Sequence, residues 1–74
     1  MKLNKIKNVL SENLGEGYRI IRDNGELSAQ ISWVDWVMQS DDEDDIIVEV
    51  AFDDGTEEVF EKGVMLRQIW HEDV

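Results

Sequence analysis

Asn24-Gly25 is the feature that most restricts what this chain can fold into, because alternating residues flank it on both sides. Asn-Gly between two such runs is the strongest short-range hairpin signal. Tyr18, Ile20 and Arg22 alternate before it with Arg19 and Ile21. After it, Leu27, Ala29, Ile31 and Trp33 alternate with Ser28, Gln30 and Ser32, the period of a half-buried strand. A type I′ turn, with φ > 0 at both Asn24 and Gly25, pairs Asp23 with Glu26. Counting outward then sets Ile20 against Ala29 and Tyr18 against Ile31, all on one face. An antiparallel sheet is the expected centre of the fold.

The other elements are read around that hairpin. Leu3, Ile6, Val9, Leu10 and Leu14 recur at three- and four-residue steps, which predicts an amphipathic helix over 2–14, stopped at Gly15. Strands are expected at about 18–23, 26–38, 46–52 and 56–61. Past Trp33 the alternation fails, so that strand is either buried on both faces or bulged. Asp53-Asp54-Gly55-Thr56 is a tight turn. Val59 and Phe60 cannot both face inward. Residues 64–70 suit a short helix or a fifth strand. The expected fold is α+β, one domain over 1–74: an N-terminal amphipathic helix packed on a four- to five-stranded antiparallel sheet or small open barrel.

Size and composition exclude several functions. Seventy-four residues leave no room for a second domain, and a core this small is either efficiently packed or completed by a partner subunit, a homodimer included. The chain has no Cys, hence no disulfide, thiolate metal site or cysteine nucleophile. Its single His, His71, lies beside Glu72 and Asp73 and reads as a solvated residue. No nucleophile motif surrounds Ser11, Ser28, Ser32 or Ser40. Gly15-Glu16-Gly17 lacks the third glycine of a phosphate loop and precedes a strand. The apolar runs are triplets, far short of a membrane span or a signal-peptide core. These features predict a cytoplasmic protein that is not an enzyme, binds no cofactor or metal, and contacts neither membrane nor nucleic acid directly.

Charge is where the sequence departs from an ordinary domain. Eighteen Asp and Glu oppose seven Lys and Arg, a formal net charge of −11. Residues 1–22 carry five basic residues against Glu12 and Glu16, whereas 23–74 carry sixteen acids against Lys62 and Arg67. Two carboxylates about 5 Å apart repel by about 0.8 kcal/mol in water before salt screening. Solubility is one explanation for such a face. Halophilic adaptation is another, although it would make the first 22 residues acidic too. The functional explanation is an anionic surface for a basic partner, with Asp41, Asp42, Glu43, Asp44, Asp45, Glu49, Asp53, Asp54, Glu57, Glu58 and Glu61 as its candidates. As a calcium loop, 41–45 lacks the ligand spacing, the central Gly and the terminal Glu of an EF-hand.

Trp33 and Trp36 stand an odd number of residues apart, so on a strand they face opposite ways. Trp33 continues the set of Leu27, Ala29 and Ile31 and is assigned to the core. Trp36 is then the exposed anchor, a residue type that dominates interfaces.

Val-Glu-Val-Ala-Phe-Asp-Asp-Gly-Thr-Glu-Glu-Val-Phe, residues 48–60, resembles the strand–turn–strand of Tudor-like small barrels, in which a Phe-Asp-Asp-Gly corner links two central strands. The leading helix is not part of that pattern, and no aromatic peptide-binding cage maps onto these positions. In size and charge the chain is similar to small acidic phage proteins that block host nucleic-acid enzymes. That likeness implies a non-enzymatic inhibitor or decoy whose acidic face, a DNA mimic, occupies a basic nucleic-acid-binding surface of another protein, such as restriction or CRISPR machinery. The alternative is an intracellular peptide-binding adaptor of small-barrel type that uses Trp36 and neighbouring apolar surface.

Overall fold

The computed structural model describes residues 1–74. Six strands form one antiparallel sheet: β1 (Lys7–Leu10), β2 (Tyr18–Ile21), β3 (Leu27–Met38), β4 (Ile46–Phe52), β5 (Glu57–Glu61) and β6 (Met65–Trp70). Their order across the sheet is β1-β6-β2-β3-β4-β5. The only helical elements are single 3-10 turns at Leu3–Lys5, Ser11–Asn13 and His71–Asp73.

The expected α+β architecture is therefore corrected to an all-strand one, because no N-terminal helix forms. Leu3, the first residue of its supposed apolar face, is 75% exposed. Residues 7–10 instead form β1, which pairs with β6 from Lys7 opposite Gln68 to Leu10 opposite Met65. A 13-residue isolated helix is marginal in water. Asn4, Asn8 and Asn13 weaken it further, and Lys2 provides no side-chain cap. Pairing with the side of β6 away from β2 satisfies the same backbone groups in a ladder. Residues 64–70 resolve to strand, so the sheet has six members rather than four or five.

The sheet bends because β3 carries two extra residues. Between Arg19↔Gln30 and Ile21↔Leu27, β3 advances three positions while β2 advances two. Between Ile31↔Phe52 and Trp33↔Ala51, β3 advances two while β4 advances one. Each is a β-bulge, which bends the bulged strand and increases its twist. A serine serves each bulge. The Ile20 N–H donates to Ser28 Oγ (2.8 Å) at a buried position, and Ser32 Oγ donates to the Ala51 carbonyl (3.1 Å). The first half of β3 thus pairs with β2 and the second half with β4. Leu14, Ile20, Ile31, Val48, Val50 and Phe52 make the central cluster, and Val9, Tyr18, Ala29, Val34, Phe60 and Leu66 pack around it. All six strands reach this one cluster, so the sheet curls around it.

The hairpin turn also differs from expectation. Gly25 has φ 86°, but no non-glycine residue has positive φ, so Asn24 is not in the left-handed region. The Gly25 N–H bonds to Arg22 O and the Arg22 N–H to Glu26 O, both at 2.8 Å. This is a three-residue loop with Gly in the αL position. It shifts the register by one near the turn, and the bulge at Ser28 restores it, so Arg19 faces Gln30. The β4–β5 turn repeats the device: Gly55 N–H to Phe52 O, Phe52 N–H to Thr56 O, and φ 87° at Gly55.

Gly17 (φ 88°) is required for a second reason. A Cβ there would collide with the ring of Trp70, which packs edge-on against Tyr18 with centroids 5.2 Å apart. No helix is long and apolar enough to cross a membrane.

Candidate functional site

Folding sharpens the charge asymmetry. Residues 31–63, which comprise the second half of β3, β4, β5 and their turns, hold twelve acids and one base, Lys62. The remainder of the chain holds six acids and six Lys or Arg. The whole net charge of −11 therefore belongs to one half of the sheet. Within that half only Glu58 pairs with a cation.

Register decides which side chains share its outer face, since directly opposed residues project together. Trp33, Ala51 and Glu57 form one row, Asp35, Glu49 and Val59 the next, and Val37, Ile47 and Glu61 the third. Glu49 is half-buried at the centre. Asp35 lies directly opposite it, while Glu57 and Glu61 lie on its diagonals. Like charges directly opposed are unfavourable, and here Glu49 has one acid directly opposite and two more on its diagonals. Two apolar residues interrupt them: Trp33 is 47% exposed and Val59 60%. The small side chain of Ala51 leaves a cavity of about 20 Å³ between Trp33, Glu49, Glu57 and Val59.

The other candidate acids lie around this face. Asp41, Asp42, Glu43, Asp44 and Asp45 are all exposed in the β3–β4 loop, where the Gln39 N–H bonds to Asp45 O (2.8 Å) and the Asp44 N–H to Asp42 Oδ1 (3.0 Å). An open groove of about 360 Å³ runs from Asp44 and Asp45 to Glu61 and Lys62. No group of three or more His, Asp or Glu is arranged to hold a metal ion. Asp53 and Asp54 occupy the β4–β5 turn, at the opposite end of β4. There Asp54 accepts the Thr56 hydroxyl (2.6 Å) and the Thr56 N–H (3.0 Å). These bonds, the hydroxyl first, hold its carboxyl below the ordinary value of 3.8.

Glu58 does not join the acidic face. It lies opposite Val50, on the side of the core. Arg22 Nη1 bonds its Oε2 at 2.8 Å, and Arg22 Nη2 pairs with its Oε1. The tryptophan assignment is also revised. Trp33 is not in the core: the extra residue Ser32 reverses the parity of β3, so Val34 packs inward and Trp33 turns out. Trp36, 55% exposed, lies opposite buried Val48 on the core side, and its indole N–H donates to Glu12 O (3.1 Å). Asp35 was missed because it stands alone in the sequence. Only the bulge and the pairing with Glu49 bring it into the cluster.

His71 is not solvated as expected. Its Nδ1 donates to Gly17 O (2.8 Å), as does its backbone N–H (3.1 Å), and its ring lies 4.5 Å from that of Trp70. Ser11 Oγ donates to Glu61 O (2.6 Å), tying the end of β1 to the end of β5. Comparison with family models, with curated proteins and with solved structures gives no match for this chain.

Proposed function

We propose that this chain is a non-enzymatic acidic inhibitor or decoy, whose outer face on β3, β4 and β5 occupies a basic nucleic-acid-binding surface of a partner protein. The observation that supports this reading is the confinement of the entire net charge to residues 31–63, with eleven of the twelve acids there lacking a cationic partner. A surface acidic only for solubility has no reason to leave the rest of the chain neutral. The acids also span a useful length. Strand β4 has seven residues, so its end loops are roughly 20 Å apart, over which one DNA strand sets out about six phosphates. Restriction or CRISPR machinery is the kind of target such a face suits.

The test is capture on the immobilised protein from a host lysate, with duplex DNA as competitor and a salt series. Basic nucleic-acid-binding proteins should be retained at low salt and released by either DNA or salt. Retention indifferent to both would favour the second reading, a peptide-binding adaptor. That reading is supported by Trp36 and Met38, 55% and 56% exposed on the core-side face of β3 beyond the packed cluster.

A further inference from the structure

We infer that the notch beside Trp33 receives an arginine side chain of the partner, with its guanidinium against the indole and between Glu49 and Glu57. This rests on the docking reading above and names the contact at its centre. Trp33 stacks on no other ring and faces no cation within the molecule. No arginine of the chain lines the notch, and two of the three are engaged elsewhere. Arg22 is held by Glu58 and lies over Phe52, 6.0 Å from its centroid, and Arg67 Nη2 donates to Arg22 O (3.1 Å). Glu58 turns its side chain to the core side and brings no carboxylate to the notch. Glu49 and Glu57 border it with no cation of their own.

A cavity of about 20 Å³ is far too small for a ligand of drug size. It suits the flat head of one side chain laid across an open floor. An indole among carboxylates is poorly placed for an anion or for a neutral apolar partner, which would strand the charges. A cation over the ring is attracted by both the π face and the acids. Guanidinium is preferred to ammonium because it is planar, less strongly hydrated and able to fork onto a carboxylate. Mutual repulsion of two such faces excludes a second copy of this chain as the occupant.

The experiment compares two peptides of equal length and charge, one rich in Arg and one rich in Lys, binding the full chain at low salt. The Trp33 indole N–H resonance, assigned by loss in Trp33→Phe, reports the site. The Arg peptide should bind roughly two- to five-fold tighter than the Lys peptide and shift that resonance. Trp33→Leu should abolish the preference while leaving Lys-peptide binding in place. Equal affinities together with an unmoved Trp33 resonance would overturn the arginine contact. If Glu49→Lys still weakened both peptides in that case, the acidic docking reading would survive. Failure of both peptides to bind would remove the docking reading and the contact with it.

Discussion

Arg22, at the end of β2, grips both carboxylate oxygens of Glu58 on β5, two residues 36 positions apart in the chain. The bond joins the two halves of the curled sheet and makes Glu58 the exception among the acids of residues 31–63. Its neighbour Glu57 projects from the opposite face with no partner.

Adjacent substitutions should therefore have opposite signs. Glu58→Lys should lower stability by about 1 kcal/mol or more, since it removes a bidentate pair and sets two cations together. Glu57→Lys should raise stability by a few tenths of a kcal/mol. Thermal melts at low salt check both. Equal effects would mean that Glu58 is no different from the rest of the acids.

Asp35 opposite Glu49 is a built-in repulsion. Asp35→Asn keeps an acceptor for the Trp36 N–H, which now bonds Asp35 Oδ1 at 2.9 Å, and removes the charge. It should stabilise the protein by about 0.2–1 kcal/mol, and the gain should shrink in molar salt. It should also weaken capture of a basic partner. Undiminished capture would show that the central cluster is not used.

Ser28→Ala should cost about 1–3 kcal/mol. The Ile20 N–H at the first bulge is buried and has Ser28 Oγ as its acceptor, so the substitution leaves it without a bond. Ser32→Ala, at an exposed bulge, should cost markedly less. Chemical denaturation of the two variants measures the difference.

Asp54 sets one arm of the acid response. Its carboxyl titrates below 3.8 in the folded chain, so its contribution to stability is complete above that value and is lost as pH falls through the folded value. Thr56→Val removes the hydroxyl bond but keeps the backbone one. The Asp54 pKa, followed by carboxyl NMR, should rise toward 3.8 in that variant and the folded state should lose some of its tolerance to acid. An unchanged titration would mean that the hydroxyl does not hold the carboxylate.

Legibility tracked locality. Strands whose turns carry Gly with Asn or Asp were readable because turn and strands are adjacent, and the strand expected at 46–52 is Ile46–Phe52. Residues 7–10 were not, because their partner β6 lies nearly sixty positions away, while spacings of three and four residues fit a helix locally. Gly25 was rightly singled out as a turn residue, but local sequence does not distinguish the two- and three-residue loops. Trp33 went to the wrong face because a bulge is decided across strands: Ile31 and Trp33 fall on Phe52 and Ala51, which are consecutive. The acids of the loops and of β5 could be nominated by composition alone. That Glu58 leaves the face and Asp35 joins it required the register.

The single strand β3 passes from the charge-balanced half of the protein into the half that bears all eleven net charges, so the molecule carries a permanent electric dipole in addition to its monopole. In the field of a positively charged surface such a body feels a torque as well as a pull. Its acidic half, residues 31–63, should lead on approach, so less rotational searching would remain after encounter, and association with such a surface should be fast at low ionic strength.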